Sequence, residues 1–159
     1  MENIKCSPPG AAARENALPL PPAYTLAAFL FPWLLWCALI FYLSAQSSFF
    51  LQPPDFFSSD KVYHFLGYTV LGYLTARVAR AYRPRWSAGR RLAGTVIFCL
   101  LYGLSDELHQ WFIPGRWVSL GDVLADTLGG WAGAGVSALR NKIKNEHPTS
   151  NIQRSTSKL

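Results

Sequence analysis

The chain has 159 residues, of which 50% are hydrophobic, 14% aromatic and 15% charged, with a net charge of +6. A soluble domain carries about 25% charged residues, so the deficit fits a small polytopic membrane protein with one compact unit and no second domain. The basic balance does not indicate nucleic acid, because the Lys and Arg residues sit in short segments flanking apolar stretches, which is the positive-inside pattern. Cys6, Cys37 and Cys99 form neither a disulfide framework nor a zinc spacing; they read as tail and membrane-packing residues.

Residues 1–23 are rich in Pro and Ala and read as a disordered cytoplasmic tail. The first span covers residues 24–43. Its 20 residues, at about 1.5 Å each, cross a hydrocarbon core of about 30 Å. The run is too long for the core of a signal peptide, Arg14 is far from it, and 44–48 is a poor cleavage site. Pro32 is expected to kink this helix, which neighbouring helices tolerate.

The second span is read at 62–79, with His64 near its start and Arg77 near its end, where the guanidinium can snorkel. Between the second and third spans lie Arg80, Arg83, Arg85, Arg90 and Arg91 with no acid, the strongest orientation signal in the chain. It places this segment in the cytoplasm. The third span, 92–113, is free of charge until Asp106-Glu107-Leu108-His109-Gln110. Trp111-Phe112-Ile113 then suggest that the helix runs on to the outer interface. Pro114-Gly115-Arg116 is a turn signal. The fourth span, 118–139, holds Asp122 and Asp126, and its Gly129 and Gly133 form a ridge permitting close helix approach. From Arg140 to the end, five basic residues and one acid read as a basic, disordered cytoplasmic tail.

The fold expected is all-α: four transmembrane helices in a compact bundle of residues 24–139, with both termini cytoplasmic. In this topology His64, the Asp106–Gln110 group and Asp122 share a depth near the outer leaflet, and Asp126 lies one turn deeper. Asp60 and His64 are four residues apart. Asp106, His109 and Gln110 share one helix face, as do Asp122 and Asp126. Three faces therefore converge, with Lys61 at the same level and Arg116 reaching over from the turn. Ionisable residues at membrane depth are costly, so such a cluster is a functional-site hypothesis.

Carboxylates beside His can exchange protons, and Arg116 and Lys61 could grip a phosphate or carboxylate. Asp, Glu and His could also ligate a divalent ion, but no spacing here demands a metal, and neither a metal nor another cofactor is assigned. Structural readings stand beside these. Asp122 and Arg116 could pair to lock the turn, His64 could simply bond Asp106 or a carbonyl, and Asp60 could cap the second helix.

Four blocks carry a resemblance. Asp60-Lys61-Val62-Tyr63-His64, Tyr102 to Gln110, Pro114-Gly115-Arg116 and Asp122 to Gly129, in this order and spacing, resemble the VanZ-like family over roughly residues 30–140. The family is one of small multi-span membrane proteins whose namesake is linked to glycopeptide resistance, teicoplanin in particular. The resemblance implies a cell-envelope role in the bacterial inner membrane, with no established reaction. Its motif positions fall on Asp60, Lys61, His64, Asp106, Glu107, Gln110, Arg116 and Asp122. Asp126 stands where the family is expected to carry Asn.

Two functions follow as expectations. One is a non-enzymatic pocket, facing the outer leaflet, that binds an envelope headgroup or cell-wall intermediate. The other is an enzyme acting on a lipid-linked phosphate or sugar, with Asp106 or Glu107 as general base and His64 or His109 as proton partner. A proton-coupled relay through Asp122 and Asp126 lacks a continuous path, because the cytoplasmic halves of the spans hold almost no ionisable groups. A purely structural cluster that fixes helix register is the simplest alternative.

Overall fold

The computed structural model describes residues 23–46 and 59–146. Most of the N-terminal tail, the segment 47–58 and residues 147–159 lie outside this range. Four helices and no strands make up the described chain: α1 (Ala23–Ser44), α2 (Ser59–Tyr82), α3 (Ala88–Gln110) and α4 (Leu120–Glu146). The third helix ends at Gln110, three residues before the end read from the sequence. There Trp111 to Ile113 leave the helix and hydrogen-bond back to the carbonyls of Glu107, His109 and Gln110. The fourth runs on through Arg140 to Glu146, seven residues into the stretch expected to be disordered. Cations in a last helical turn complement its partial negative charge, and Lys144 occupies that position.

Local chemistry sets the ends. Ser87 caps α3, its hydroxyl accepting from Arg90 N at 3.3 Å, which satisfies one of the amides left free at a helix start. Between α3 and α4, Arg116 N bonds the Ile113 carbonyl at 3.2 Å and Gly115 has φ of 82°. Pro followed by Gly at a positive φ is the signature of a type II turn.

On α3 and α4 the pattern of a soluble bundle is largely reversed, beside a small apolar core of Ile40, Tyr68, Leu71 and Cys99. On α3 the residues facing the other helices are Thr95, Cys99, Gly103, Asp106, Glu107 and Gln110. Ile97, Leu101, Leu104 and Leu108 face outward. On α4, Asp122, Asp126 and Ser137 are buried, while Leu120, Leu124, Leu128, Trp131 and Leu139 are exposed. An amphipathic helix in water presents the opposite faces. Among the described residues, one helix is long and apolar enough by composition to cross a membrane: α1, over Ala27–Ser44, with very little of that stretch buried.

The most extensive contact is between α2 and α4. Glycine makes it possible: a β-carbon at Gly129 would run into the Phe65 carbonyl, and one at Gly133 into the Thr69 carbonyl. This is the close approach that small residues permit between apolar helices. The first helix sits further out and is tied on by polar tips of aromatic side chains. Trp33 Nε1 donates to Thr75 Oγ1 at 3.0 Å, Trp36 Nε1 to the Gly67 carbonyl at 2.9 Å, and Tyr102 Oη to the Cys37 carbonyl at 2.8 Å.

Candidate functional site

The chain ends of α1 and α3 and the starts of α2 and α4 meet at one end of the bundle, the acidic end. Eight of the described ionisable residues named from the sequence lie here: Asp60, Lys61, His64, Asp106, Glu107, Arg116, Asp122 and Asp126. Asp106, Glu107, Gln110, Asp122 and Asp126 are all buried.

Two pairs cross between α2 and α4. Lys61 Nζ donates to Asp122 Oδ1 at 3.0 Å and lies 3.4 Å from Ser119 Oγ. His64 Nδ1 shares a hydrogen bond of 3.0 Å with Asp126 Oδ1, and both side chains are shielded. The sequence left two partners open for His64, Asp106 or a carbonyl; the structure places it on Asp126. Similarly, Asp122 is paired with Lys61 rather than with Arg116.

Arg116 instead spans the top of the site. Its Nε donates to the Gln46 carbonyl and its Nη2 to the Leu43 carbonyl, each at 3.2 Å. It thereby ties the turn before α4 to the carbonyls where α1 ends, the Leu43 carbonyl also accepting from Gln46 N. Its Nη1 stands 4.0 Å from Asp60 Oδ1, whose side chain is 55% exposed. On α3, Gln110 Nε2 donates to Asp106 Oδ2 at 3.3 Å, one helical turn along.

Beneath Arg116, between α1, α2 and α3, is a cavity of about 560 Å³. Asp60, His64, Asp106, Gln110 and Arg116 supply its polar surface; Ile40, Leu43, Tyr63 and Gly67 supply apolar wall. The volume suits a small organic ligand, since such pockets span roughly 300–1,000 Å³ and combine apolar walls with a few convergent polar groups. Tyr68, also in the lining, is 1% exposed, and its hydroxyl has no hydrogen-bond partner among the described residues. Buried hydroxyls are normally satisfied, so an unpaired one facing a cavity marks a place for a ligand atom or water.

Five sequence candidates are absent from this lining: Lys61, Asp122 and Asp126, held in the pairs above, and Glu107 and His109. Glu107 Oε2 accepts from Ser119 N at 2.7 Å, joining the end of α3 to the residue before α4. His109 stacks on Phe41 of α1, ring centroids 4.5 Å apart. Neither residue lines the pocket. Conversely, Ser44, Gln46, Tyr63 and Tyr68 line it and were not singled out. Tyr68 was within reach of the pattern, four residues after His64 on the same face.

Among the described residues, one set of side chains could act as donors to a divalent ion. Oxygen and nitrogen atoms of Asp60, His64 and Asp122 lie within 4.8 Å of one another. Lys61 already binds Asp122 through Oδ1, so an ion there would share this carboxylate with an ammonium. The arrangement has its own cations and needs none added to balance Asp122.

Neither a curated protein nor a solved structure matches the chain. The family model described as VanZ/LLP1 matches residues 29–141. That stretch starts within α1, ends within α4 and includes every residue of the acidic-end cluster. By this match the chain belongs to the VanZ/LLP1 family.

Proposed function

We propose that the protein is a four-span envelope protein whose acidic end faces the outer leaflet. Its pocket there takes the polar head of an envelope lipid or of a lipid-linked cell-wall intermediate. The single observation behind this reading is the cavity itself, in which charged and amide groups of both polarities sit below an apolar wall. An amphiphile presents that same division, with a charged head and an apolar neck. Support for four spans comes from the outward-facing apolar rows on α3 and α4 and from the cations gathered at the opposite end. Holding such a head would change how a glycopeptide reaches its target, which links the pocket to teicoplanin resistance.

Gly67 offers a clean test. It lines the cavity, and a β-carbon there meets nothing within 4 Å. Gly67→Leu should therefore fill the pocket while leaving the helix contacts in place. The assay is teicoplanin susceptibility of a sensitive Gram-positive host, with wild type and variant at matched membrane levels and vancomycin alongside. Protection by wild type that Gly67→Leu abolishes is expected. Equal protection by both would remove the pocket from the explanation, and none from a correctly inserted wild type would remove the resistance role.

The His64–Asp126 pair favours a second reading. A carboxylate bonded to one imidazole nitrogen orients the ring and leaves the other nitrogen for chemistry, and His64 lines the pocket beside Asp106. An enzyme acting on a lipid-linked phosphate or sugar could use His64 as proton acceptor with Arg116 near the anion. Turnover of such lipids by the purified protein, lost in His64→Gln, would establish it; an unchanged lipid pool over prolonged incubation would exclude it.

A further inference from the structure

The opposite end of the bundle also contains a cavity, of about 360 Å³, between α1, α2 and α4. Arg77 and Arg80 of α2 face it together with Arg140 and Lys144 of α4, and no carboxylate is in its lining. A positive-inside bias requires cations near the ends of spans. It does not require four of them to converge on one hollow.

Each guanidinium there rests on a neutral group. Arg77 lies over the Phe29 ring, 4.9 Å from its centroid, and 5.8 Å from that of Tyr73. Arg80 Nη2 donates to Ser137 Oγ at 3.1 Å and reaches the Ser137 carbonyl at 3.4 Å. Arg140 donates to the Tyr73 hydroxyl. The pairs Lys61–Asp122, His64–Asp126 and Arg116–Asp60 lie at the acidic end. The C-terminal ends of α2 and α4 offset part of this charge, about half a unit each. Against four full cations that leaves a balance of about +3.

We propose that this basic hollow is a second binding site, for a phosphate group, with the headgroup of an anionic phospholipid in the cytoplasmic leaflet as its source. Phe29 and Tyr73 hold the Arg77 guanidinium without engaging its N–H groups in a hydrogen bond, and Arg with free N–H groups can hold phosphate oxygens in pairs. Phe29 provides an apolar wall where a headgroup would continue into its acyl chain. The site is separate from the pocket at the acidic end, though the lipid source rests on the four-span reading.

The test uses the full chain in two settings. In nanodiscs of phosphatidylcholine containing a minor fraction of phosphatidylglycerol, enrichment of phosphatidylglycerol around the protein is measured for three proteins. These are wild type, Arg140→Gln/Lys144→Gln, and Arg83→Gln/Arg85→Gln. The last removes the same charge from the exposed α2–α3 turn, outside the hollow. Both pairs are at exposed positions, so folding should survive, with helix content checked by circular dichroism. Loss of enrichment by roughly 10- to 30-fold is expected for the first pair, with little change for the second. Equal loss from both pairs would mean diffuse attraction and would overturn the site.

In detergent, titration with inorganic phosphate asks the same question without a bilayer, so its result stands whether or not four helices cross one. Phosphate binding lost in Arg140→Gln/Lys144→Gln, without lipid enrichment in nanodiscs, would keep the site and make free phosphate its source. Neither lipid enrichment nor phosphate binding would overturn it.

Discussion

At the acidic end, Lys61 and His64 each lie against a buried carboxylate, and Arg116 approaches the exposed Asp60. At the basic end, Arg77, Arg80 and Arg140 rest on rings, hydroxyls and a carbonyl. The acidic end gives each of its carboxylates a partner within the bundle, Asp106 and Glu107 through Gln110 and the Ser119 amide, and buries four of the five. Those arginines of the basic end have neutral partners instead and are left to the surface. Charges shielded from water must be paired to be tolerated, whereas cations at a helix end can reach water or lipid phosphate along flexible stems. The stability of the bundle should accordingly depend on single residues at one end and hardly at all at the other.

The sharpest way to break this comparison is Asp126→Ala. It leaves His64 buried without its partner, a loss of about 3–5 kcal/mol when one member of a shielded pair is removed. Reversible unfolding in mixed detergent should show it, and Asp126→Asn, which keeps an acceptor, should recover a good part. Full stability of Asp126→Ala would mean that the pair does not hold α2 to α4.

Next is Gly133→Ala. A β-carbon there meets the Thr69 carbonyl, a backbone atom that cannot swing aside, so overpacking should cost about 1–3 kcal/mol. Gly135→Ala is the internal contrast: nothing lies within 4 Å of its β-carbon, and replacing a helical Gly should stabilise by about 0.5–1 kcal/mol. Opposite signs two residues apart on one helix would tie the effect to the α2–α4 contact rather than to propensity.

Lys61→Met should come third, at about 1–2 kcal/mol, since it strips Asp122 of its cation. Lys61 is 43% exposed while Asp122 is 2% exposed, so solvent screens the lysine's share of the pair. The same unfolding assay reads it, and no change at all would show that Ser119 and water suffice for Asp122.

Much of this contrast was legible in the sequence. Long apolar runs mark the helices, cations mark one end, and spacings of four residues bring His64 to the face of Asp60, and Asp126 to that of Asp122. The ridge of Gly129 and Gly133 was visible for the same reason. Partner choice was not, because it depends on how each helix is rotated about its axis. A rotation of one residue separates Asp106, which faces the cavity, from Glu107, which reaches Ser119. His109 shares a helical face with Asp106 in projection, yet α1 lies close enough to take its ring onto Phe41. The part played by α1 was hidden for another reason: it contains no Asp, Glu, Lys, Arg or His, and its ties run through Trp33, Trp36 and the Cys37 carbonyl, which read as ordinary apolar content.

The smallest effect should come from the basic end, and it is the other half of the test. Arg83 is exposed, with its guanidinium 5.8 Å from the Trp86 ring centroid. An exposed contact of this kind contributes about 0.5–1 kcal/mol at most, and surface substitutions away from paired or packed groups usually fall within about 0.5 kcal/mol. Arg83→Gln should thus leave the unfolding curve nearly unchanged while removing one full charge from the α2–α3 turn. On the four-span reading proposed above, its influence should show in orientation instead, because cations flanking spans set which side of a membrane a turn occupies. A cysteine placed in this turn and labelled from outside intact cells gives the readout. Arg83→Gln alone should keep the turn inside, whereas neutralising Arg83, Arg85, Arg90 and Arg91 together should expose it in part of the population. If the four-fold variant stays wholly inside and also loses stability as steeply as Asp126→Ala, the two ends do not differ in kind, and charge at the basic end is structural after all.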